Sequence, residues 1–272
     1  MTNPQTYAIR GGIEGRERLR ILSRVMQESS FSLLDRVQLQ DGIHCLDAGC
    51  GGGDMTMELA RRVGPTGTVV GIDRDEEKLK IAREEAREQG LNNIEYLVAD
   101  IHEACTRRKF GFVYARFLLT HLQDPKGLVR SFYECLQPGG KVAVEDIDFT
   151  GHFTYPVSPA FGRYHDLYCT VVRRNGGDPD IGPRLPALVK ECGFGSVGVK
   201  IVQPMALTGE TKLITPITLQ AIAAGVIEKQ LATKEEIEEL TEQLFDLAED
   251  ETTLAGLPRV VQVWAQREPD RG

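Results

Sequence analysis

The chain has no apolar run that approaches the roughly 18 residues a membrane-spanning helix requires, although it is 272 residues long. Its opening segment, MTNPQTYAIRGG, carries neither the basic nor the apolar region of a secretory signal, so a cytoplasmic location and no membrane partner are expected. Basic residues do not dominate: 32 Lys and Arg stand against 40 Asp and Glu, for a net charge of −8. That balance argues against the broad phosphate-binding surface that DNA or tRNA needs, and no nucleic-acid partner is expected. Paired cysteines are missing as well. Cys45, Cys50, Cys105, Cys135, Cys169 and Cys192 are scattered without a CxxC, and in a chain of this size with no secretion signal they read as free thiols. Cys45 and Cys135 then fill core space, Cys50 is placed to touch a ligand, and no metal is implied. Internal repeats and low-complexity tracts are absent. What remains is enough chain for one sizeable core domain with insertions, as a monomer or homodimer.

The most informative segment is Cys45 to Asp54, CLDAGCGGGD. An apolar run ending in a carboxylate leads into Gly49, Gly51, Gly52 and Gly53, and a helix-forming stretch follows. Glycine tolerates positive φ and lets backbone approach a ligand closely, while a helix start adds exposed N–H donors. A dinucleotide fingerprint wants Gly-x-Gly-x-x-Gly, but counting from Gly49 its third glycine falls on Asp54. The spacing fits Asp-x-Gly-x-Gly-x-Gly through Asp47, Gly49, Gly51 and Gly53. Asp47 suits a ligand bearing an ammonium or sulfonium charge better than pyrophosphate. This segment resembles motif I of the class I S-adenosylmethionine-dependent methyltransferases.

Strands and helices alternate from there. Strands are expected at Thr68–Asp73, Ile94–Asp100, Phe110–Phe117 and Lys141–Asp148, with helices at Asp54–Val63, Asp75–Gln89 and Pro125–Leu136. This order specifies a parallel α/β sheet with right-handed crossovers. After Phe149 the alternation breaks, and an aromatic stretch runs to Asp180. A helix near Arg184–Glu191, a strand near Val197–Val202, a helix capped by Thr233 and Glu236, and a final strand Arg259–Arg267 follow. The chain therefore divides into an N-terminal helical cover (1–40), an α/β core (41–148), a lid insertion (149–181) and the remainder of the core (182–272) with a helical insertion near 209–250. The resemblance implies a Rossmann-like, seven-stranded, mostly parallel sheet with helices on both faces, its last strand antiparallel beside the fifth. Helical segments between Ile13 and Val37, with Leu19, Leu22 and Val25 on one stripe, either brace the sheet edge or cover the ligand cleft. The two roles are compatible.

The resemblance extends over Gly42 to Asp148 and implies S-adenosylmethionine as cofactor. Asp47, Asp73 and Asp100 close the first three strands and should gather at the carboxyl edge, where open α/β sheets bind ligands. By position Asp73 takes the ribose diol, Arg74 lies along the adenine, and Asp100 accepts from its exocyclic amine. Ile101 offers an apolar face to the base, while Asp47, with Gly49, Cys50 and Gly51, serves the methionine end. In YARFLLTHLQDP the fourth strand resembles small-molecule methyltransferases, with Arg116, Phe117 and His121 bordering the transferable methyl. The Asn/Asp-Pro-Pro-Tyr/Phe tetrad of nucleic-acid enzymes is missing. Histidine suits general-base work near neutral pH; His121, His152 and His165 are the candidates, with His121 and His165 taken as catalytic. Glu145, Asp146 or Asp148 either faces an amine acceptor or forms a solvated edge. Phe149, Phe153, Tyr155, Phe161, Tyr164 and Tyr168 either line a site for a small hydrophobic or ring-containing acceptor or form the lid's own core. Two other functions fit a similar fold: a nicotinamide-dependent oxidoreductase, and a cofactor-binding protein without catalysis.

Overall fold

The computed structural model describes residues 12–102, 105 and 108–269. Its strands, in chain order, are β1 (His44–Ala48), β2 (Thr68–Asp73), β3 (Ile94–Val98), β4 (Phe110–Arg116), β5 (Leu136–Asp148), β6 (Phe153–Tyr155), β7 (Gly195–Val202), β8 (Met205–Ala206), β9 (Leu254–Gly256) and β10 (Arg259–Gln266). The helices are α1 (Gly12–Val37), α2 (Asp54–Val63), α3 (Glu76–Glu88), α4 (Pro125–Cys135), α5 (Pro159–Arg174), α6 (Leu185–Glu191), α7 (Glu210–Glu228) and α8 (Lys234–Glu249). No helix among the described residues is long and apolar enough to cross a membrane.

Seven strands make one sheet in the order β3-β2-β1-β4-β5-β10-β7. β1 to β5 pair in parallel, and β10 runs antiparallel between β5 and β7, as expected. β1 and β4 are central and covered on both faces, so Leu46, Ala48, Val113 and Ala115 are fully buried; this is why they read as continuous apolar runs rather than as an alternation. β6, β9 and β8 form a separate small sheet.

Local signals start and stop the helices. The Asp75 side chain accepts from Lys78 N at 3.2 Å to cap α3, and Asp124 accepts from Gly127 N at 2.8 Å to cap α4, with Pro125 at its first position. Thr233 caps α8 through Glu236 N at 3.1 Å. On α2, Met55, Met57, Leu59 and Val63 turn inward, each contributing roughly 1.5–3 kcal/mol by burial.

The chain after β5 is more regular than its composition implied. Half of the aromatic stretch is the helix α5, started by Ser158 and Pro159. The 209–250 region holds two helices, α7 and α8, packed on each other. α1 is one continuous helix rather than several segments. Met26, Leu33, Leu34 and Val37 bury its lower face, and Val25 is only half-buried. Arg20 pairs with Glu85 of α3, and Arg24 with Glu210 of α7 at 2.6 Å. Such exposed pairs are worth at most about 1 kcal/mol each, so apolar packing holds α1 in place and the pairs set its direction across the cleft.

Candidate active site

A cavity of about 480 Å³ lies along the carboxyl edge of the sheet, where the strand order reverses between β1 and β4. One end is built from the glycine turn. Gly49, Gly51 and Gly53 have φ of 70°, 54° and 78°, a region that L side chains avoid. Space forbids substitution as well: a Cβ on Gly49 would stand 2.9 Å from Leu118 Cδ1, and one on Gly53 would stand 2.3 Å from the Tyr96 hydroxyl. Asp73 braces this turn. Its Oδ2 accepts from Gly51 N and its Oδ1 from Asp75 N, both at 2.9 Å.

All three strand-end acids line the cavity, although Asp100 stands two residues beyond the end of β3. Asp100 accepts from the Arg74 guanidinium and, at 2.9 Å, from His102 N. Burial alone would raise its carboxyl, but those bonds and charges outweigh it and hold Asp100 below the usual carboxylate range. Arg74 is thus engaged with Asp100 across the strand ends. Asp47 is 2% exposed and accepts from Thr56 Oγ1 at 2.6 Å. Burial pushes it up to about 6, against the pull of that bond and of Arg116. Cys50 and Ile101 also line this end; burial drives the Cys50 thiol upward, with Asp47 and Asp73 adding to it.

At the end of β4 the backbone turns sharply. Phe117 holds φ of 53° and donates its N–H to Glu145 O at 2.8 Å. Arg116 reaches Ser30 Oγ of α1 at 3.2 Å and stays charged: burial pulls it down, but Tyr114, Glu145, Asp54 and Asp47 outweigh that. His121 lines the cavity from a short turn, Leu119–His121, that Asp146 anchors by accepting from Thr120 N at 3.1 Å. Burial lowers His121 to about 3, with Arg18 and Lys78 adding to the shift. It is a neutral imidazole across the physiological range and a weak proton acceptor.

The far end is apolar. Leu22 and Met26 of α1, Phe149, Tyr164 and Tyr168, and Ile214 of α7 line it. Phe149 stacks on Tyr168 with centroids 4.1 Å apart and planes 9° from parallel. His152 also lines the cavity. His165 does not: among the described residues the cavity lining excludes it, and its Nε2 bonds to Phe149 O at 3.2 Å. Of the six aromatic residues, Phe149, Tyr164 and Tyr168 both belong to a buried cluster and line the cavity; Phe161 belongs to the cluster but not to the lining, and Phe153 and Tyr155 belong to neither, Tyr155 being exposed.

The acidic end of β5 is not an amine site. Glu145 takes the Tyr114 hydroxyl and, at 2.6 Å, Gln262 Nε2 from the directly paired position on β10. Asp148 pairs with Arg259 at 2.8 Å. Glu145, Asp146 and Asp148 all lie outside the cavity lining. Sequence reasoning missed Arg18, Lys78, Ile214 and Thr218, which do line it. The last two sit on α7, whose sequence ETKLITPITLQAIAAGVIE contains Pro216 and is apolar on every side, so no periodicity marked an inward face.

Residues 39–172 match the methyltransferase domain family. A demethylmenaquinone methyltransferase of Listeria monocytogenes serotype 4b is 30% identical over 176 residues, covering 59% of this chain and 73% of that protein. The ubiquinone/menaquinone biosynthesis C-methyltransferase UbiE of Idiomarina loihiensis is 31% identical over 137 residues, covering 50% and 52%. Among solved structures, phosphoethanolamine N-methyltransferase 2 of Haemonchus contortus, in complex with phosphomonomethylethanolamine and S-adenosylhomocysteine, superposes with a TM-score of 0.56 at 18% identity. It covers 94% of this chain, which spans 58% of the Haemonchus chain.

Proposed function

This chain belongs to the class I S-adenosylmethionine-dependent methyltransferases, and from that premise we propose that it methylates a small molecule built on an apolar ring, of the quinone-like kind for which its relatives are named. One observation carries the reading: a single cavity joins the glycine turn and Asp73 to a far end lined by Phe149, Tyr164 and Tyr168.

The residues of the near end fit the cofactor. Gly49 and Gly51 bring left-handed backbone to the near end, and Asp73, already anchored by two backbone amides, offers its carboxylate to a diol. Asp47 and the glycine turn serve the amino-acid end, with Arg116 and Phe117 at the border between the two halves. Ile101 supplies the apolar face for the base, beside Asp100 and Arg74. When bound, S-adenosylmethionine supplies an activated methyl on a sulfonium, so the difficult chemistry is its own.

What remains for the protein is orientation and exclusion of water. Phe149, Tyr164 and Tyr168 offer flat, rigid contact area to a ring, and α1 roofs the cleft through Leu19, Leu22 and Met26. His121, neutral and half-buried, serves as a hydrogen-bonding wall rather than as a general base. The nicotinamide alternative has no support in the relatives and none in the turn, where Asp54 occupies the third glycine position.

The test has two parts. S-adenosylmethionine and S-adenosylhomocysteine should raise the thermal midpoint while NAD leaves it unchanged. With S-adenosylmethionine present, S-adenosylhomocysteine should then be released with 1,4-naphthohydroquinone and not with phosphoethanolamine. Release with the amine alone would overturn the acceptor class, and stabilisation by NAD alone would overturn the cofactor.

A further inference from the structure

Single exposed apolar side chains are ordinary on a protein surface, whereas several large ones side by side mark a surface of contact. Of the exposed large apolar side chains among the described residues, all but Val98 and Ile227 fall in two short runs. One run is Val199, Ile201, Met205 and Leu207, from β7 through β8 and just beyond. The other is Tyr155 and Val157, at the end of β6 and just after it. Ile201 and Met205 are each 59% exposed, Tyr155 71% and Val157 87%.

The register brings the two runs together. In the small sheet β9 lies between β6 and β8, with Tyr155 paired to Leu254, and with Phe153 and Met205 both paired to Gly256. Directly paired residues of antiparallel strands share a face, as do residues two apart along a strand, so Phe153, Tyr155, Leu254 and Met205 all stand on one side. On the other side Thr154 and Ala255 are buried beside Phe161 of α5 and Leu244 of α8. The helices thus cover one face of this sheet and leave the other apolar and open. β7 leads into the patch along the chain: Val199 and Ile201 alternate with Lys200, which is paired with Gln262 and lies on the opposite face.

We propose that this patch docks a second copy of the chain, making a homodimer across β7, β8 and the end of β6. Area and charge both favour that occupant. The six side chains leave on the order of 600 Å² to solvent, near the ~800 Å² that each partner contributes to a stable interface, and Phe153 and Leu254 supply more at the margin. Two molecules of net charge −8 repel each other, so they meet where charge is least. Residues 153–158, 195–209 and 252–258 hold one charged side chain, Lys200. A bilayer is the poorer occupant, because attachment to anionic lipid calls for a cluster of Lys and Arg. Lys200 and Pro204 also guard the sheet edges against open-ended addition of further strands, so the contact closes as a twofold dimer made by side chains. None of the six lines the cavity, and each copy keeps an active site complete in itself.

Light scattering behind size-exclusion chromatography measures the mass of the full chain in solution. At about 50 μM the wild type should run at twice the chain mass, since interfaces of this size bind at about micromolar or tighter. Ile201→Glu and Met205→Glu together put like charges on both sides of the contact and should weaken association roughly 100-fold or more, to a monomer. Ile201→Lys with Met205→Lys should do the same. An equimolar mixture of the two double variants should recover the double mass, which a damaged fold could not do. Val98→Glu, on a half-exposed residue of β3 at the opposite margin of the sheet, should leave the dimer intact. Cooperative urea unfolding of each variant shows that it is folded. A wild type that stays monomeric overturns the proposal, as does a monomer that floats with phosphatidylcholine vesicles, which would give the patch to a bilayer. A dimer that survives both double variants, or a mixture that fails to recover it, also overturns it.

Discussion

His152→Asn and Asp146→Asn should tilt the pH dependence of stability in opposite directions. Burial lowers His152 from 6.5 to about 3, so between those values the unfolded chain binds a proton that the folded chain does not. The stability linked to His152 is fully present above about pH 6.5 and is lost as pH falls toward 3, at about 1.4 kcal/mol per pH unit. Asp146 behaves oppositely. Burial raises it from 3.8 to about 7 despite the backbone N–H groups it accepts from, so there the folded chain holds a proton that the unfolded chain releases. Its contribution is complete below about pH 4 and is lost as pH rises to 7. Asparagine titrates in neither state. Between about pH 6 and about pH 4.5, the stability of wild type relative to His152→Asn should fall by about 2 kcal/mol, while that relative to Asp146→Asn should rise by about 2 kcal/mol. Urea unfolding of the three proteins at several pH values, compared at constant m, measures both slopes. Differences are the right quantity, because every other titrating group cancels. Parallel curves, or slopes of one sign, would refute the burial argument for both residues.

Asp73→Ala should weaken S-adenosylmethionine binding by 10-fold or more, since it removes a charged acceptor and frees the Gly51 and Asp75 amides that the carboxylate holds; isothermal titration calorimetry with unchanged affinity would take Asp73 out of the site. Gly49→Ala should cost about 1–2 kcal/mol in urea unfolding from its left-handed backbone alone, before the 2.9 Å approach to Leu118 is counted. The pH profile of kcat should show no inflection near 6.5 attributable to His121, because its imidazole is neutral down to about 3; an inflection that His121→Ala abolishes would restore it as a base.

The α/β core was legible because its determinants are local. Gly49, Gly51 and Gly53 are glycines for a backbone reason, strand runs such as TVVGID stop at a carboxylate, and Asp75, Asp124 and Thr233 cap helices within three residues of themselves. The three strand-end acids could be placed on one edge because parallel topology sends every strand's carboxyl end the same way. β10 was readable as a strand, while its antiparallel place beside β5 followed from the family resemblance; in the sheet Val260 to Val263 are all buried. The region after Phe149 was otherwise not legible. Aromatic rings are large and few, and they satisfy the periodicity of a helix or of a loop equally well, so α5 was hidden by composition. α7 was hidden because it packs between α1, α5 and α8 and has no polar face to reveal its period.

The same contrast separates the three histidines. Residue type and position alone put His121 near the end of the fourth strand and His152 and His165 in the aromatic stretch, with His121 and His165 taken as catalytic. What separates them is long-range packing that no spacing records. Phe149 O captures His165, and Thr215, on a helix 63 residues further on, occupies one nitrogen of His152. Chemistry supplied by the cofactor needs only a fixed geometry at the glycine turn and is therefore written in a short motif. The proposed acceptor end is lined from α1, the turn after β5, α5 and α7, so it emerges only when those elements meet.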